Sequence, residues 1–223
     1  MRNSWHTLAL GSGGELYAWG AANHHQLGIP EAAEEKPPQL NAPRCVFLDQ
    51  RVVHAAAGAT MSACVTEGGA VYTWGEGLHG ELGHGAATTS LPSPVAVARL
   101  WGLRVASVAV GAHHCVARLR NGQLMAWGDN RHGQLGLGAK LSGSGESLSV
   151  PTPIDLPGGK PCRLVVAGTT HTLALCAGAA FGAGRNAEGQ LGIAEKGAST
   201  TRAAFVEARA LKGVRFLAAA GGA

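Results

Sequence analysis

A stretch of ten residues, Trp127 to Gly136, constrains the fold of this chain most, because the chain contains it four times. In three copies a Trp-Gly pair stands seven residues before a Gln-Leu-Gly or Glu-Leu-Gly, and in the fourth Ala183-Gly184 replaces the Trp-Gly. The copies begin at positions 19, 74, 127 and 183. Self-similarity at a nearly constant period of this size is typical of solenoids, arrays and propellers.

Short apolar runs separated by turn residues surround each copy. In the third repeat, Val105–Val110 and His114–Leu119 precede the pair Asn121-Gly122, and residues 123–127 form the returning run. The Asn-Gly pair predicts a type I′ hairpin turn, because both central residues of that turn need a positive φ. Repeated short strands predict an all-β fold, and four antiparallel strands per repeat predict a β-propeller blade.

The large residue at the end of each returning strand is expected to pack between neighbouring blades. Trp19, Trp74 and Trp127 would each bury a large aromatic surface there, and each indole N–H would need an acceptor. The following glycines are expected to be structural anchors of the repeat: Gly20, Gly75, Gly128 and Gly184.

The composition fits a well-buried β chain and excludes several classes of protein. Charged residues make up 14%, hydrophobic residues 46%, and the 34 glycines show no G-X-Y period, which excludes collagen. The net charge is +4 and the basic residues are scattered, so the sequence has no strong electrostatic footprint for nucleic acid, although folding could gather them on one face. No window approaches the ~18 uninterrupted apolar residues of a membrane-spanning helix, so no membrane association is expected.

The cysteines and the N-terminus indicate an intracellular location. Five cysteines, an odd number without a C-x-x-C pair, favour reduced thiols in the core over disulfides. The apolar run before Gly11 is too short for a secretory signal peptide. We therefore expect a reducing compartment, either the cytoplasm or the nucleus.

The repeat resembles that of the regulator of chromosome condensation family. The pattern A-x-G-x-x-H-[ST]-x-A-L…G-x-[LV]-x-x-W-G-x-N-x-x-G-Q-L-G is matched best from Val110 to Gly136. Four copies with the same internal spacing make the resemblance specific over almost the whole chain. Met61 and Ala183 depart from the pattern, at the positions of its His and its Trp. The resemblance implies a β-propeller, usually of seven blades.

This resemblance makes residues 1–223 a single propeller segment of four repeats. Residues 214–223 match the strand that precedes the repeat His, and the chain starts just before that His, at His6. The final strand therefore either completes the first blade and closes a small four-bladed ring, or begins a further blade of a longer array. We favour the longer array, because the family closes with more blades. An open half-ring would leave sheet edges that need a cover.

His6, His114 and His171 share one repeat position, and two interpretations are open. They could form a ring that binds a metal ion, or each could hydrogen bond a neighbouring loop once per blade. Metal ligands must converge on one point and these residues belong to different blades, so we favour the structural role. No Ser/His/Asp set, paired carboxylates or Cys nucleophile is supported, so we expect no catalytic residue, cofactor or metal.

The interiors of the turns between Trp-Gly and Gln-Leu-Gly differ from copy to copy. Propellers bind through loops carried on a rigid scaffold, so these interiors are candidate partner-binding loops, and simple solvated loop tips are the alternative. The polar residues there are His24, His25, His79, Arg131, His132, Arg185 and Asn186.

The sequence therefore favours a non-enzymatic propeller scaffold that mediates protein–protein interaction as a subunit of a larger assembly, with direct nucleic-acid binding not expected. The resemblance leaves open a guanine nucleotide exchange factor for a Ran-like small GTPase with chromatin binding, for which the insert at 139–149 is the candidate wedge. It also leaves open a substrate-recruiting module of a ubiquitin ligase. The plant UV-B photoreceptor branch needs a cluster of surface tryptophans. Only Trp5 and Trp101 lie outside the repeat position, so we do not expect this chain to belong to that branch.

Overall fold

The computed structural model describes residues 6–35, 38–138, 147–193 and 201–221. Within these ranges the chain forms fifteen β-strands, and its helical structure is limited to short 3-10 turns. The strands build one three-stranded and three four-stranded antiparallel sheets, each made of consecutive strands. This is the blade arrangement of a β-propeller, which confirms the predicted fold class. No helix in the described ranges is long and apolar enough to span a bilayer.

The blades follow each other along the chain. Blade 1 contains β1 (His6–Leu10), β2 (Leu16–Ala21) and β3 (Gln39–Val46). Blade 2 contains β4 (Val52–Ala57), β5 (Met61–Thr66), β6 (Val71–Glu76) and β7 (Ser90–Ala96). Blade 3 contains β8 (Val105–Val110), β9 (His114–Leu119), β10 (Leu124–Gly128) and β11 (Leu148–Ile154). Blade 4 contains β12 (Cys162–Ala167), β13 (His171–Cys176), β14 (Ala179–Arg185) and β15 (Thr201–Glu207).

The hydrophobic core is divided among the junctions between blades, which we call the first, second and third seams in chain order. Trp74 lies in the apolar cluster of the first seam, and Met61 and Trp127 lie in that of the second. Ala183 and Phe205 belong to the cluster of the third seam. A blade exposes two apolar faces, so it is stable only when a neighbour covers them.

The hairpin at Asn121-Gly122 does not form the type I′ turn that the sequence predicts. The Leu119 N–H donates to the Gln123 carbonyl (2.8 Å), and of the turn residues only Gly122 has a positive φ, of 86°. This is a three-residue loop in which a type I turn ends in a left-handed glycine. Gly14 and Gly69 hold the same position in blades 1 and 2, with φ of 92° and 87°. The fourth hairpin is one residue shorter, as its spacing predicts.

Residues 214–221 are not a β-strand, although the sequence predicts one there. The segment nevertheless lies where the first strand of another blade would stand. The Gly213 N–H donates to the Gly178 carbonyl (2.8 Å), as the first residue of β12 does to the previous hairpin, and Gly221 lies against Ala167. A strand requires a paired neighbour, and among the described residues none pairs with this segment. Its part in a further blade stays a prediction.

Candidate functional site

The repeated residues meet in hydrogen-bond networks at the seams. In the first seam the Gln26 carbonyl accepts the Trp74 indole N–H (3.0 Å) and the Ser62 hydroxyl (2.8 Å). His6 Nε2 lies 2.7 Å from the same hydroxyl oxygen. Because Ser62 donates its only proton to the carbonyl, His6 Nε2 must carry the proton that the hydroxyl accepts. The repeat therefore joins adjacent blades through a relay from histidine to hydroxyl to carbonyl.

The third seam repeats this relay with other residues. His114 Nε2 lies 2.9 Å from Thr172 Oγ1, whose hydroxyl donates to the Gln134 carbonyl at 2.7 Å. Desolvation on burial lowers the pKa of His114 to about 4, and burial lowers the pKa of His6 to about 4 as well. Both imidazoles are therefore neutral at pH 7, as the donor pattern requires.

The second seam replaces the relay with a pair of sulfur atoms. Met61 stands at the histidine position, and the Cys115 thiol lies 3.6 Å from its thioether sulfur. The same thiol donates to the Glu81 carbonyl at 3.4 Å, and the Trp127 indole N–H donates to that carbonyl at 2.7 Å. The histidine and hydroxyl of the other seams are thus both replaced here, and the carbonyl keeps two donors.

The departure at Ala183 is compensated by a residue outside the repeat motif. Trp74 and Trp127 pack against the glycines that end the preceding Gln-Leu-Gly and Glu-Leu-Gly, Gly28 and Gly83. At the third seam the corresponding glycine meets the ring of Phe205, from β15, and the Cβ atom of Ala183. Phe205 is 4% exposed, so it fills the volume that a tryptophan occupies in the other seams.

The tryptophan and glycine anchors of the repeat differ in how they lie in the seams. Trp74 and Trp127 are fully buried, whereas Trp19, which no blade precedes in the described residues, is only half-buried. The anchor glycines all have φ near 100°, which β-carbon-bearing residues rarely adopt. A Cβ atom at Gly75 or Gly128 would also lie 2.5 Å from a carbonyl oxygen of the adjacent strand turn. The four anchor glycines with this φ are Gly20, Gly75, Gly128 and Gly184.

The histidines that share the repeat position are all buried. His6, His114 and His171 are 7%, 0% and 8% exposed, and burial also lowers the pKa of His171. In the described part of the chain no group of three or more His, Cys, Asp or Glu side chains could hold a metal ion. The positions of these rings thus favour blade-to-blade hydrogen bonding over ligation.

A cluster of two histidines and a carboxyl group lies at the loop end of the second seam. Glu81 stands where the other repeats have glutamine, and it is 1% exposed. Its carboxylate accepts the His79 backbone N–H (2.7 Å) and lies 3.3 Å from His113 Nδ1. The rings of His79 and His113 meet edge to face with centroids 5.1 Å apart. The sequence singled out His79 but missed this cluster, because Glu81 and His113 belong to different blades and only folding brings them together.

Arg131 pairs with a carboxylate of its own loop. Its guanidinium donates to both oxygens of Asp129, at 2.9 and 3.0 Å. Burial alone would raise the pKa of Asp129, but the hydrogen bonds from Arg131 outweigh that effect and the pKa is lowered. Arg131 remains 56% exposed and Asp129 is 3% exposed, so the pair presents a guanidinium held in one orientation.

The other candidate loop residues divide into internal and outward-facing groups. The Asn186 side chain accepts the Leu191 N–H (3.1 Å), so it fixes its own turn. His24 Nδ1 lies 2.5 Å from a carboxylate oxygen of Glu76, and His25 has a φ of 58°, unusual for a residue other than glycine. His132 is half-buried, and Arg185 is exposed at the end of β14. The structure does not bring these residues together into one site.

Two expectations concern residues outside the described ranges. Most of the candidate wedge at 139–149 lies there, and only its last three residues, at the start of β11, are described. Trp5 also lies outside, whereas Trp101 is 68% exposed.

Comparison with protein families links these seams to a known repeat. A model described as the Regulator of chromosome condensation (RCC1) repeat matches residues 13–65, 68–118 and 121–175. A second model of the same description matches residues 105–134. Each of the first three matches contains the last two strands of one blade and the first two strands of the next. The sequence repeat is therefore out of phase with the blade and spans one seam.

Comparison with individual proteins finds relatives longer than this chain. The ultraviolet-B receptor UVR8 of Arabidopsis thaliana is 35% identical over 195 residues, 86% of this chain and 42% of the receptor. The E3 ubiquitin-protein ligase HERC2 of Homo sapiens is 40% identical over 136 residues, 60% of this chain and 3% of the ligase. The chain thus spans less than half of the length of either relative.

Solved structures share the fold at low sequence identity. Human WBSCR16 superposes with a TM-score of 0.79 at 24% identity, over 92% of this chain and 50% of that chain. Yeast RCC1 (Prp20), solved with Kap60 bound, gives a TM-score of 0.77 at 22% identity, over 91% of this chain and 47% of that one.

Proposed function

Because the chain belongs to the regulator of chromosome condensation (RCC1) repeat family, we propose that it is a non-enzymatic propeller scaffold that binds protein partners as a subunit of a larger assembly. One observation carries the proposal. The side chains at the repeated motif positions lie in the seams, where Trp74, Trp127 and His114 have no exposed surface. They hold the blades together, so contact with a partner falls to the side chains on the rims, which differ between blades.

The test is the state of the whole protein in its own cells. The full-length protein, tagged at its native locus and fixed with a lysine-reactive cross-linker, is expected to elute as one stoichiometric complex. The exposed Lys160 and Lys212 are expected to be cross-linked to a partner subunit. Reciprocal tagging of that subunit must return this protein. Elution at the mass of the protein alone, without such cross-links, would contradict the proposal.

Nucleotide exchange on a small GTPase is the first alternative to the scaffold function, and it needs a test of its own. The structure of yeast Prp20 was described together with its binding to Gsp1p and histones, but that protein shares only the fold with this chain. We expect the protein at micromolar concentration to leave the release of labelled GDP from a Ran-like GTPase unchanged. A rate that rises with the concentration of this protein would establish exchange activity and overturn the non-enzymatic assignment.

Recruitment of substrates to a ubiquitin ligase is the second alternative, and HERC2 and HERC5 are ligases that contain related segments. It predicts that the purified complex assembles ubiquitin chains when supplied with activating and conjugating enzymes, whereas the scaffold proposal predicts that it does not. We also propose a reducing compartment, since the five cysteines are free and four of them are buried.

A further inference from the structure

The two ends of the blades carry opposite charge. Successive strands are antiparallel, so the hairpin that precedes the last two strands of each blade lies at the same end as the connections from blade to blade. We call this end the hairpin rim; it comprises residues 11–15, 47–51, 67–70, 97–104, 120–123, 155–161, 177–178 and 208–215. The opposite end, the loop rim, comprises in the described chain residues 22–35, 58–60, 76–89, 111–113, 129–138, 168–170 and 185–193.

The hairpin rim is strongly basic. It carries eight exposed basic residues, which are Arg51, Arg99, Arg104, Arg120, Lys160, Arg209, Lys212 and Arg215. It carries four exposed acidic residues, which are Glu15, Asp49, Glu67 and Asp155. The described loop rim has two basic residues, Arg131 and Arg185, against seven acidic ones, which are Glu31, Glu34, Glu35, Glu76, Glu81, Asp129 and Glu188. Folding thus separates charges that are scattered along the sequence.

Part of this basic surface is held in place by the preceding blade. The Arg51 guanidinium donates to the Ser12 carbonyl at 2.7 Å, and the Arg120 guanidinium donates to the Glu67 carbonyl at 3.2 Å. Each bond joins a side chain to a hairpin of the preceding blade. The cations are therefore fixed relative to each other across the first and second seams, and an anionic partner would lose less conformational entropy on binding them.

Exposed apolar side chains lie among these cations. Phe47 and Trp101, in successive connections between blades, are 85% and 68% exposed. Trp101 also lines a cleft of about 250 Å³, formed between the Gly68-Gly69 hairpin and the connection that ends at Arg104. An exposed tryptophan beside a small cleft, in a connection that also carries the exposed Arg99 and Arg104, is the composition of an interaction surface with an aromatic anchor.

We propose that the hairpin rim binds an acidic polypeptide segment of a partner protein, and that a large apolar side chain of this segment enters the cleft beside Trp101. The proposal rests on the protein-binding function proposed above and names the face and the chemistry of the partner. A polypeptide fits this rim better than a nucleic acid does. The exposed Glu67 and Asp155 interrupt the basic surface, and a peptide can place neutral residues opposite them, whereas a nucleic-acid backbone is negative throughout.

Peptide binding to the full-length protein tests the proposal. The probe is a fluorescein-labelled, glutamate-rich peptide with one central phenylalanine, followed by fluorescence anisotropy at low and moderate salt. We expect micromolar binding that weakens with salt, and weaker binding of a matched peptide with alanine in the centre. Charge reversal by Arg99→Glu with Arg104→Glu should weaken binding about tenfold or more. Trp101→Ser should weaken binding of the phenylalanine peptide about fivefold and leave the alanine peptide unaffected.

The matched control is Arg185→Glu, which reverses one exposed charge on the loop rim and should leave binding unchanged. Equal melting temperatures show that the exposed substitutions leave the fold intact. No binding of the acidic peptides by the folded protein would overturn the proposal. Tighter binding of duplex DNA, lost in the same charge-reversed protein, would show a nucleic-acid surface instead. If the native complex persists unchanged with the charge-reversed rim, the scaffold function stands and this docking surface is wrong.

Discussion

In the second seam Trp127 packs against Gly83, whereas in the third seam Phe205 and Ala183 share the corresponding place against Gly136. The two aromatic rings reach this place from different strands, β10 and β15. The seam therefore requires an aromatic volume and not a tryptophan. The two seams also differ in their hydrogen bonds, so the aromatic packing does not require the indole hydrogen bond. The Glu81 carbonyl accepts an indole N–H, whereas the described donor to the Gln134 carbonyl is the hydroxyl of Thr172.

The polar side of the seams shows a related contrast. The first and third seams contain a neutral histidine bonded to a hydroxyl, His6 with Ser62 and His114 with Thr172. In the second seam a thioether and a thiol stand in these places. Both members of the pair differ together, which is what a packed interior requires. A buried imidazole N–H without a strong acceptor, or a hydroxyl without a donor, would carry the cost of an unmade hydrogen bond.

Removing the aromatic volume of the second seam should have the largest effect. Trp127→Ala is expected to lower the free energy of unfolding by about 3–5 kcal/mol, because it opens a cavity and removes one donor to the Glu81 carbonyl. Urea denaturation followed by far-UV circular dichroism measures it. Trp19→Ala is the matched control, with a smaller loss because Trp19 is already half-buried. Equal losses in the two variants would mean that seam packing does not set the stability.

Phe205→Ala tests the compensation in the third seam, with an expected loss of about 3 kcal/mol. Adding Ala183→Trp to this variant should recover a substantial part of the loss, since an indole would then fill the space that the phenyl ring left. Ala183→Trp alone should destabilise, because the ring of Phe205 already occupies that space. A double-mutant cycle on urea midpoints gives the coupling energy. Additive effects would show that the two residues do not share one space.

The sequence predicts the strand order and the blade type well, but it does not predict which residues fill the third seam. The periodic Trp-Gly and His positions determine the strand order, the blade type and the burial of Trp74, because every copy repeats the same local pattern. Phe205 could not be assigned in this way: it lies outside the motif, and only the pairing of β14 with β15 brings it to the seam. The basic rim was missed for a similar reason, since its arginines come from connections of unequal length. The hairpin turn at Gly122 was misassigned, because three residues separate Leu119 from Gln123 and a loop of this length forms a type I turn that ends in a left-handed glycine.

The histidine seams should make stability depend on pH. The pKa of His114 is about 4 in the folded protein and 6.5 is its ordinary value, so between these values the unfolded chain binds a proton that the folded protein does not. The stabilisation is complete above pH 6.5 and is lost as the pH falls towards 4, with about 2 kcal/mol lost by pH 5. In the His114→Gln variant, the fall in the free energy of unfolding between pH 7 and pH 5 should be smaller by about 2 kcal/mol. Urea denaturation at pH 7 and at pH 5 measures this loss in the unchanged protein and in the His114→Gln variant. If the variant lost as much stability as the unchanged protein, His114 would not be the source of the pH dependence.

Converting the second seam to the relay of its neighbours should have a smaller effect. Met61→His alone is expected to cost about 1–2 kcal/mol, because the imidazole N–H would face a thiol, a weak acceptor. Adding Cys115→Thr supplies the hydroxyl that the other seams contain and should restore most of the stability. The double variant should also acquire the loss at pH 5 that the histidine seams show. If the second substitution gives no recovery in thermal denaturation, the seams are not interchangeable.

The smallest effect is expected at a turn where blade 1 differs from the others. His25 has a φ of 58°, and the corresponding residues of the other repeats are glycines, such as Gly133 with a φ of 76°. His25→Gly should raise the free energy of unfolding by about 1 kcal/mol, because a left-handed conformation disfavours a side chain. The reverse change, Gly133→His, should destabilise more strongly, since a Cβ atom there would lie 2.5 Å from the Ala203 backbone. Blade 1 therefore tolerates a side chain where the third repeat cannot, and a stability loss in His25→Gly would indicate that the imidazole makes a contact worth more than the strain.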